Sequence, residues 1–134
     1  MPDDDDDDVL AANAAFYEAF RGEDLAAMDA LWARTAPVAC VHPGWPPLVG
    51  REQVMESWRG ILTAGAPPIR AESPRVLQLG DVAYVICYEV VPGGRLVATN
   101  VFVREDGSWR MVHHHAGPVQ LERDDDDEPP PSLN

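Results

Sequence analysis

The sequence contains no lysine; all ten of its basic side chains are arginine. That excludes Schiff-base chemistry, which needs a primary amine, and any phosphate loop built around a lysine. Cysteine is almost as scarce. Cys40 and Cys87 lie far apart within apolar stretches, without zinc-type spacing, and read as small buried side chains in a reducing compartment rather than as a disulfide. No apolar run approaches the length of a membrane span, and Met1 and Pro2 are followed by six aspartates rather than an apolar leader. A cytoplasmic location without membrane contact is expected.

Positive charge is outnumbered, but the excess is local. Of 23 acids, eleven stand in two runs, residues 3–8 and 124–128, and the body keeps twelve acids against ten arginines. The net charge of −13 therefore belongs to the ends, and the body carries about −2. Blocks of like charge repel one another and stay solvated. Residues 1–8 and 119–134 are expected to be disordered tails around one domain at 9–118. The tails argue against nucleic acid as a partner, because they would repel phosphate. Aspartate runs with no loop to fix their ligands would hold calcium only weakly.

The first half of the body is helical in pattern. "VLAANAAFYEAFRGED" spaces apolar residues at Leu10, Ala14, Tyr17 and Phe20, or Val9, Ala12, Phe16 and Phe20, and stops near Gly22. "EDLAAMDALWA" repeats the spacing with Leu25, Met28, Leu31 and Trp32. "PVACVHPGWPP" is a short strand entering a loop, and "GREQVMESWRGILTAG" a third helix. From Pro67 onward four extended segments follow, "IRAESPRVLQL", "DVAYVICYEVV", "RLVATNVFVR" and "SWRMVHHHAG", separated by short glycine-containing connections. Helices first and an antiparallel meander afterwards give an α+β fold, with the helices on one face of the sheet.

"VAYVICYEV" is apolar in both parities, Val82, Tyr84, Ile86 and Tyr88 on one face and Ala83, Val85 and Cys87 on the other. The helices cover one face. A second copy is expected to cover the other, making a homodimer through the outer sheet face.

The order of these pieces, with "VHPGWPPLVGREQVMESW" and "TNVFVREDGSWRMVHHHAGP", resembles the nuclear transport factor 2-like superfamily, especially its SnoaL-like and ketosteroid-isomerase-like branches. The last two strands also resemble the association domain of calcium/calmodulin-dependent kinase II, which ends in Asp-Gly-x-Trp followed by Val-His-x-His. The resemblance spans roughly residues 9–118 and implies a conical barrel of the cystatin-like kind, in which a curved sheet wraps a long helix and leaves a pocket. It fixes function poorly, since the superfamily holds isomerases, dehydratases, cyclases, hydrolases and domains that only bind or assemble.

By that resemblance His42 stands where ketosteroid isomerases carry the aspartate that shuttles the proton, and an imidazole suits the task. Tyr17 stands where the oxyanion donor would be, or is simply a core aromatic. Thr99 or Asn100 takes the place of the second acid, a departure that argues against steroid isomerisation. Strand alternation sends Trp109, Met111, His113 and His115 to the pocket and Arg110, Val112 and His114 away from it. The candidate catalytic set is thus His42, Tyr17, Asn100, His113 and His115. Trp45, Trp58, Phe16, Phe102 and Trp32 are candidate walls for a small apolar or amphipathic ligand. His42, His113 and His115 are of the residue type that ligates metals, and Glu89 in "VAYVICYEV" could face inward, but no acid is clearly placed to help, and neither metal nor cofactor is expected. Two functions stay open: a pocket enzyme using a histidine base for proton transfer, isomerisation or hydration–dehydration, and a non-catalytic ligand-binding or oligomerisation domain.

Overall fold

The structure, a computed structural model, describes residues 2–65 and 67–120. Helix α1 runs Pro2–Arg21, α2 Leu25–Leu31 and α3 Arg51–Ala64; the strands are β1 Ala39–Val41, β2 Leu48–Val49, β3 Arg70–Leu79, β4 Val82–Val91, β5 Gly94–Glu105 and β6 Ser108–Pro118. The strands form one sheet in the order β2-β1-β6-β5-β4-β3, antiparallel throughout except where β1 lies parallel to β6. The expected α+β, mostly antiparallel fold is present.

Helix α1 buries Val9, Asn13, Phe16 and Tyr17, a stripe at intervals of three and four, and packs along β3, β4 and β6. Gly22 closes it, its N–H reaching the Glu18 carbonyl. Asp24 then opens α2 by accepting from the Ala27 amide at 3.0 Å. The far end of α2 is held by Arg51, whose guanidinium takes the carbonyls of Asp29, Trp32 and Ala33 and the Asp29 carboxylate. The next three amides, of Arg34, Thr35 and Ala36, all donate to Glu105 from the far end of β5, which holds that carboxyl well down, at about 2. These contacts fix the helical layer over the sheet. The β5–β6 hairpin turns on Asp106 and Gly107, both at positive φ, as a tight turn compatible with strand twist requires.

Residues 3–8, expected to be part of a disordered tail, instead form the first turns of α1. The helix propagates outward from its packed stripe, acids are favoured at its positive end, and Asp5 meets Arg104 at 2.5 Å and Gln78 at 3.2 Å. The other expected tail falls mostly on residues 121–134, which lie outside the described residues.

Two register shifts bend the sheet, one in β3 between Glu72 and Arg75 and one in β6 opposite Val101 and Phe102. At the second, Phe102 pairs with Met111 and Val101 with His113, which leaves Val112 as the additional residue. Side-chain parity therefore reverses within β6. Trp109 and Met111 point inward, and so do His114 and Ala116.

Candidate functional site

The bulge at Val112 decides which histidine enters the interior. His113 and His115, expected to line a pocket, lie on the outer face: His113 is half-buried, with Nδ1 3.0 Å from the Ala39 carbonyl, and His115 is exposed. His114, assigned to the outside by simple alternation, is 1% exposed in the core. It shares an inner row with Val85, Asn100 and Cys40 through direct strand pairing. The question left between Thr99 and Asn100 is settled with it: Asn100 points inward and is fully buried.

Around His114 the polar groups form one connected set. Asn100 donates through Nδ2 to Asn13 Oδ1 at 2.8 Å and to Tyr17 Oη at 3.1 Å, and the Tyr17 hydroxyl donates to Glu89 Oε2 at 2.6 Å. The Asn100 carbonyl oxygen, which can only accept, lies 2.6 Å from His114 Nδ1. That bond places the proton of the neutral ring on Nδ1. Nε2 is left with its lone pair, 3.8 Å from Glu89 Oε2.

Burial sets the protonation states. It pushes the His114 imidazole down to about 3, helped by the other histidines, and lifts the Glu89 carboxyl above the usual carboxylate range, with the Tyr17 hydrogen bond pulling the other way. Burial thus favours the uncharged form of both groups, and the imidazole is neutral at physiological pH. Burial and the neighbouring Glu89 likewise raise the Tyr17 phenol.

His42 ends β1 and is 4% exposed. Its ring stacks edgewise on Trp45 and Trp58 at 4.8 Å each and stands 6.3 Å from His114. Ser57 Oγ donates to the Val54 carbonyl at 2.7 Å, so it accepts from His42 Nε2 at 3.0 Å. The ring is thereby held as the Nε2–H tautomer, its free lone pair on Nδ1, 3.9 Å from Cys40 Sγ. Burial pushes His42 down to about 4, and raises Cys40 to about 12, which leaves that thiol inert at neutral pH.

Ser57 links this interior to solvent. It also lines a groove of about 910 Å³ between α3 and the loop before β2, together with Trp45, Leu48, Glu52, Gln53, Glu56, Gly60, Ile61 and Ala64. Of the expected walls only Trp45, 44% exposed, belongs to this groove. Phe16, Trp58, Phe102 and Trp32 are fully buried packing, with Phe16 set edge-on to Trp58 at 5.5 Å and 4.9 Å from the His114 ring. Their size and place on the inner faces spend them on the core. His42, His113 and His115 do not converge, and among the described residues no three histidine, cysteine or acid side chains are grouped to hold a metal ion.

His114, Asn13 and Ser57 were absent from the expected residues, and Glu89 entered only as an inward-facing acid beside a metal site. For Glu89 and Asn13 a signal existed: each is a polar residue in an otherwise inward-facing apolar series, with Val85 and Cys87 in β4 and with Phe16 and Tyr17 in α1. For His114 there was none, because only the bulge turns it inward.

The model of the SnoaL-like domain matches residues 9–119. The chain belongs to the SnoaL-like domain family. Among solved structures, this SnoaL-like domain is similar to a protein of the NTF2-like family from Streptomyces avermitilis, described as a candidate dehydratase. The two are 36% identical, with 90% of this chain and all of that one covered and a TM-score of 0.83. It is also similar to a candidate calcium/calmodulin-dependent protein kinase type II association domain from Thiobacillus denitrificans, 38% identical over 83% of this chain and 94% of that one, TM-score 0.75. A cystatin-like protein from Caulobacter vibrioides, 16% identical over 85% of this chain and 89% of that one, shares the fold at a TM-score of 0.74. The F-box protein SKIP8 of Arabidopsis thaliana is 30% identical over 117 residues, 85% of the SnoaL-like chain; the chain spans about half the length of that relative, 51%.

Proposed function

We propose that this SnoaL-like protein binds a small molecule and moves a proton on it, in an isomerisation or a hydration–dehydration. The observation that carries the proposal is the buried, hydrogen-bonded set of Tyr17, Glu89, Asn100 and His114 at 0–2% exposure, in which burial raises the carboxyl and lowers the imidazole. Packing alone favours apolar side chains there, because polar groups buried in a core are costly even when paired. Donors held away from water, such as the Tyr17 hydroxyl and the Asn100 amide, are suited to stabilising a developing oxyanion.

His42 serves as the base. A ring with a pKa of about 4 is unprotonated at neutral pH, accepts a proton transiently and returns it readily, as a shuttle within one substrate requires. Access runs past Trp45, which stacks on His42 and faces the groove. Resemblance to the Streptomyces avermitilis protein supports a dehydration chemistry.

The test uses a panel of amphipathic ketones and β-hydroxy carbonyl compounds in D₂O, with deuterium incorporation next to the carbonyl followed by NMR. Wild-type protein should accelerate exchange of at least one compound, and His42→Ala should reduce it by roughly 100-fold or more. Exchange at the same rate with wild type and His42→Ala across the panel would refute the proposal.

A second reading, an assembly domain, is favoured by the outer sheet face. Leu77, Tyr84 and Val101 form one row with His113, and Leu79, Val82, Ile86 and Val97 are exposed around it. A homodimer through this face fits both readings, and the similarity to a kinase association domain supports self-association. The reduced, buried cysteines support a cytoplasmic setting. No helix among the described residues is long and apolar enough to cross a membrane.

A further inference from the structure

We infer that the groove along α3 selects an organic cation, an amphipathic amine whose ammonium lies between Glu52 and Glu56 while its apolar body rests on Trp45, Leu48 and Ile61. The inference rests on the proton-transfer reading only in naming the class of molecule that would reach His42 by this route.

Three features point the same way. The volume, about 910 Å³, suits a molecule of drug-like size, and most of the wall is apolar. The charge is all of one sign: Glu52 and Glu56 lie four residues apart on one face of α3, neither carboxylate has an ionic partner among the described residues, and no arginine lines the groove. The arginines nearest in sequence are turned elsewhere, Arg51 onto Asp29 and the end of α2, and Arg59 toward Leu25, Asp29 and Met55 on the other side of the helix. Finally, Trp45 is 44% exposed and lines the same opening, and an indole ring attracts a cation through its quadrupole. A neutral ligand would leave the two carboxylates without a role, and an anion would be repelled by both.

Gly60 lines the groove without a side chain. A Cβ built there meets nothing within 4 Å, so a larger side chain enters the open volume without disturbing the core.

The test measures binding of a matched set, 4-phenylbutylamine, 4-phenylbutanol and 4-phenylbutanoate, to the full chain by calorimetry and by the Trp45 indole resonance. The amine should bind at least threefold more tightly than the alcohol, and the carboxylate least. Glu52→Gln/Glu56→Gln should weaken the amine roughly 3- to 10-fold and leave the alcohol unchanged, as should a rise in salt from ~0.02 to ~0.5 M. Gly60→Leu should weaken all three. Equal or tighter binding of the alcohol or carboxylate, an amine affinity indifferent to the two glutamates or to Gly60→Leu, or no binding of any of the three overturns the cation assignment. Those outcomes leave the deuterium-exchange result standing; conversely, amine binding without His42-dependent exchange removes the catalytic proposal and keeps this one.

Discussion

Acidification should destabilise this protein before any carboxylate pair is lost, and by an amount the structure sets. His42 and His114 have folded pKa values depressed from 6.5 to about 4 and about 3. Below pH 6.5 the unfolded chain binds protons that the folded chain excludes, so stability present above 6.5 is withdrawn as pH falls toward the folded values. Between pH 8 and pH 5 the linkage relation gives a loss of about 2 kcal/mol from each imidazole. Glu89 works in the opposite sense. Its folded pKa is raised, so its contribution is present below 4.5 and is lost as pH rises through the folded value. Wild type should therefore lose less than the ~4 kcal/mol of the two histidines together, and Glu89→Gln, which removes the opposing group while keeping an acceptor for Tyr17, should lose nearly all of it. Glu89→Gln should also be the more stable protein at pH 8. The assay is urea unfolding followed by tryptophan fluorescence at pH 5, 6, 7 and 8, with His114→Gln as a third protein whose pH slope should fall by one proton. Stability that stays flat from pH 8 to pH 5 in both wild type and Glu89→Gln would show that the imidazoles are not held neutral inside, and the description of the buried cluster would fail.

Other outcomes follow from particular contacts. Gly60→Ala, at an interior helix position open to solvent, should stabilise by about 0.5–1 kcal/mol in thermal denaturation; a loss would mean that the backbone there is strained. Trp58→Ala should cost about 3–5 kcal/mol, because the ring is fully buried against Phe16, Phe20 and His42, and a cost below 1 would show a loosely packed interior. Deleting Val112 removes the unpaired residue of the bulge while Met111 and His114 keep their partners, so the variant should fold with His114 still neutral by imidazole NMR. A normally titrating His114 in that protein would contradict the assigned register. Ile86→Asp with Val97→Asp should leave a folded monomer in sedimentation at micromolar concentration if the outer sheet face holds a second copy, and a wild-type monomer there excludes that dimer.

Much of the fold was legible because its signals are local. The helix from Val9 to Phe20, the glycine turns and the alternation of β4 each report on a few neighbouring residues. The turns and the alternation appear as read, and the helix buries Val9, Phe16 and Tyr17 from the expected stripes while Ala14 is exposed and Asn13 joins them. In β4 the alternation even carries Glu89 inward after Ala83, Val85 and Cys87. Asn100 and Tyr17 were also accessible to inference, one from a strand parity narrowed to two residues and the other from its helix face. The same rule misassigned all three neighbouring histidines of β6. One additional residue at Val112 reverses parity, and nothing in "RMVHHHAG" marks it, because Val112 and His113 would serve equally well in a regular strand.

The sequence by itself determined the layers, helices first and an antiparallel meander after them, and the core-facing side of α1 and β4, since hydrophobic spacing is a property of the segment alone. Only the tertiary structure decided what the site contains. Where β6 bends is set by the need to pair with β5 on one side and β1 on the other, and that bend places His114 beside Asn100 and within reach of Glu89. The helical state of residues 3–8 is decided in the same way, by a stripe packed on the sheet and by Arg104 on a distant strand. Contacts between residues far apart in the chain leave no local trace, and the candidate chemistry of this SnoaL-like protein is built from such contacts.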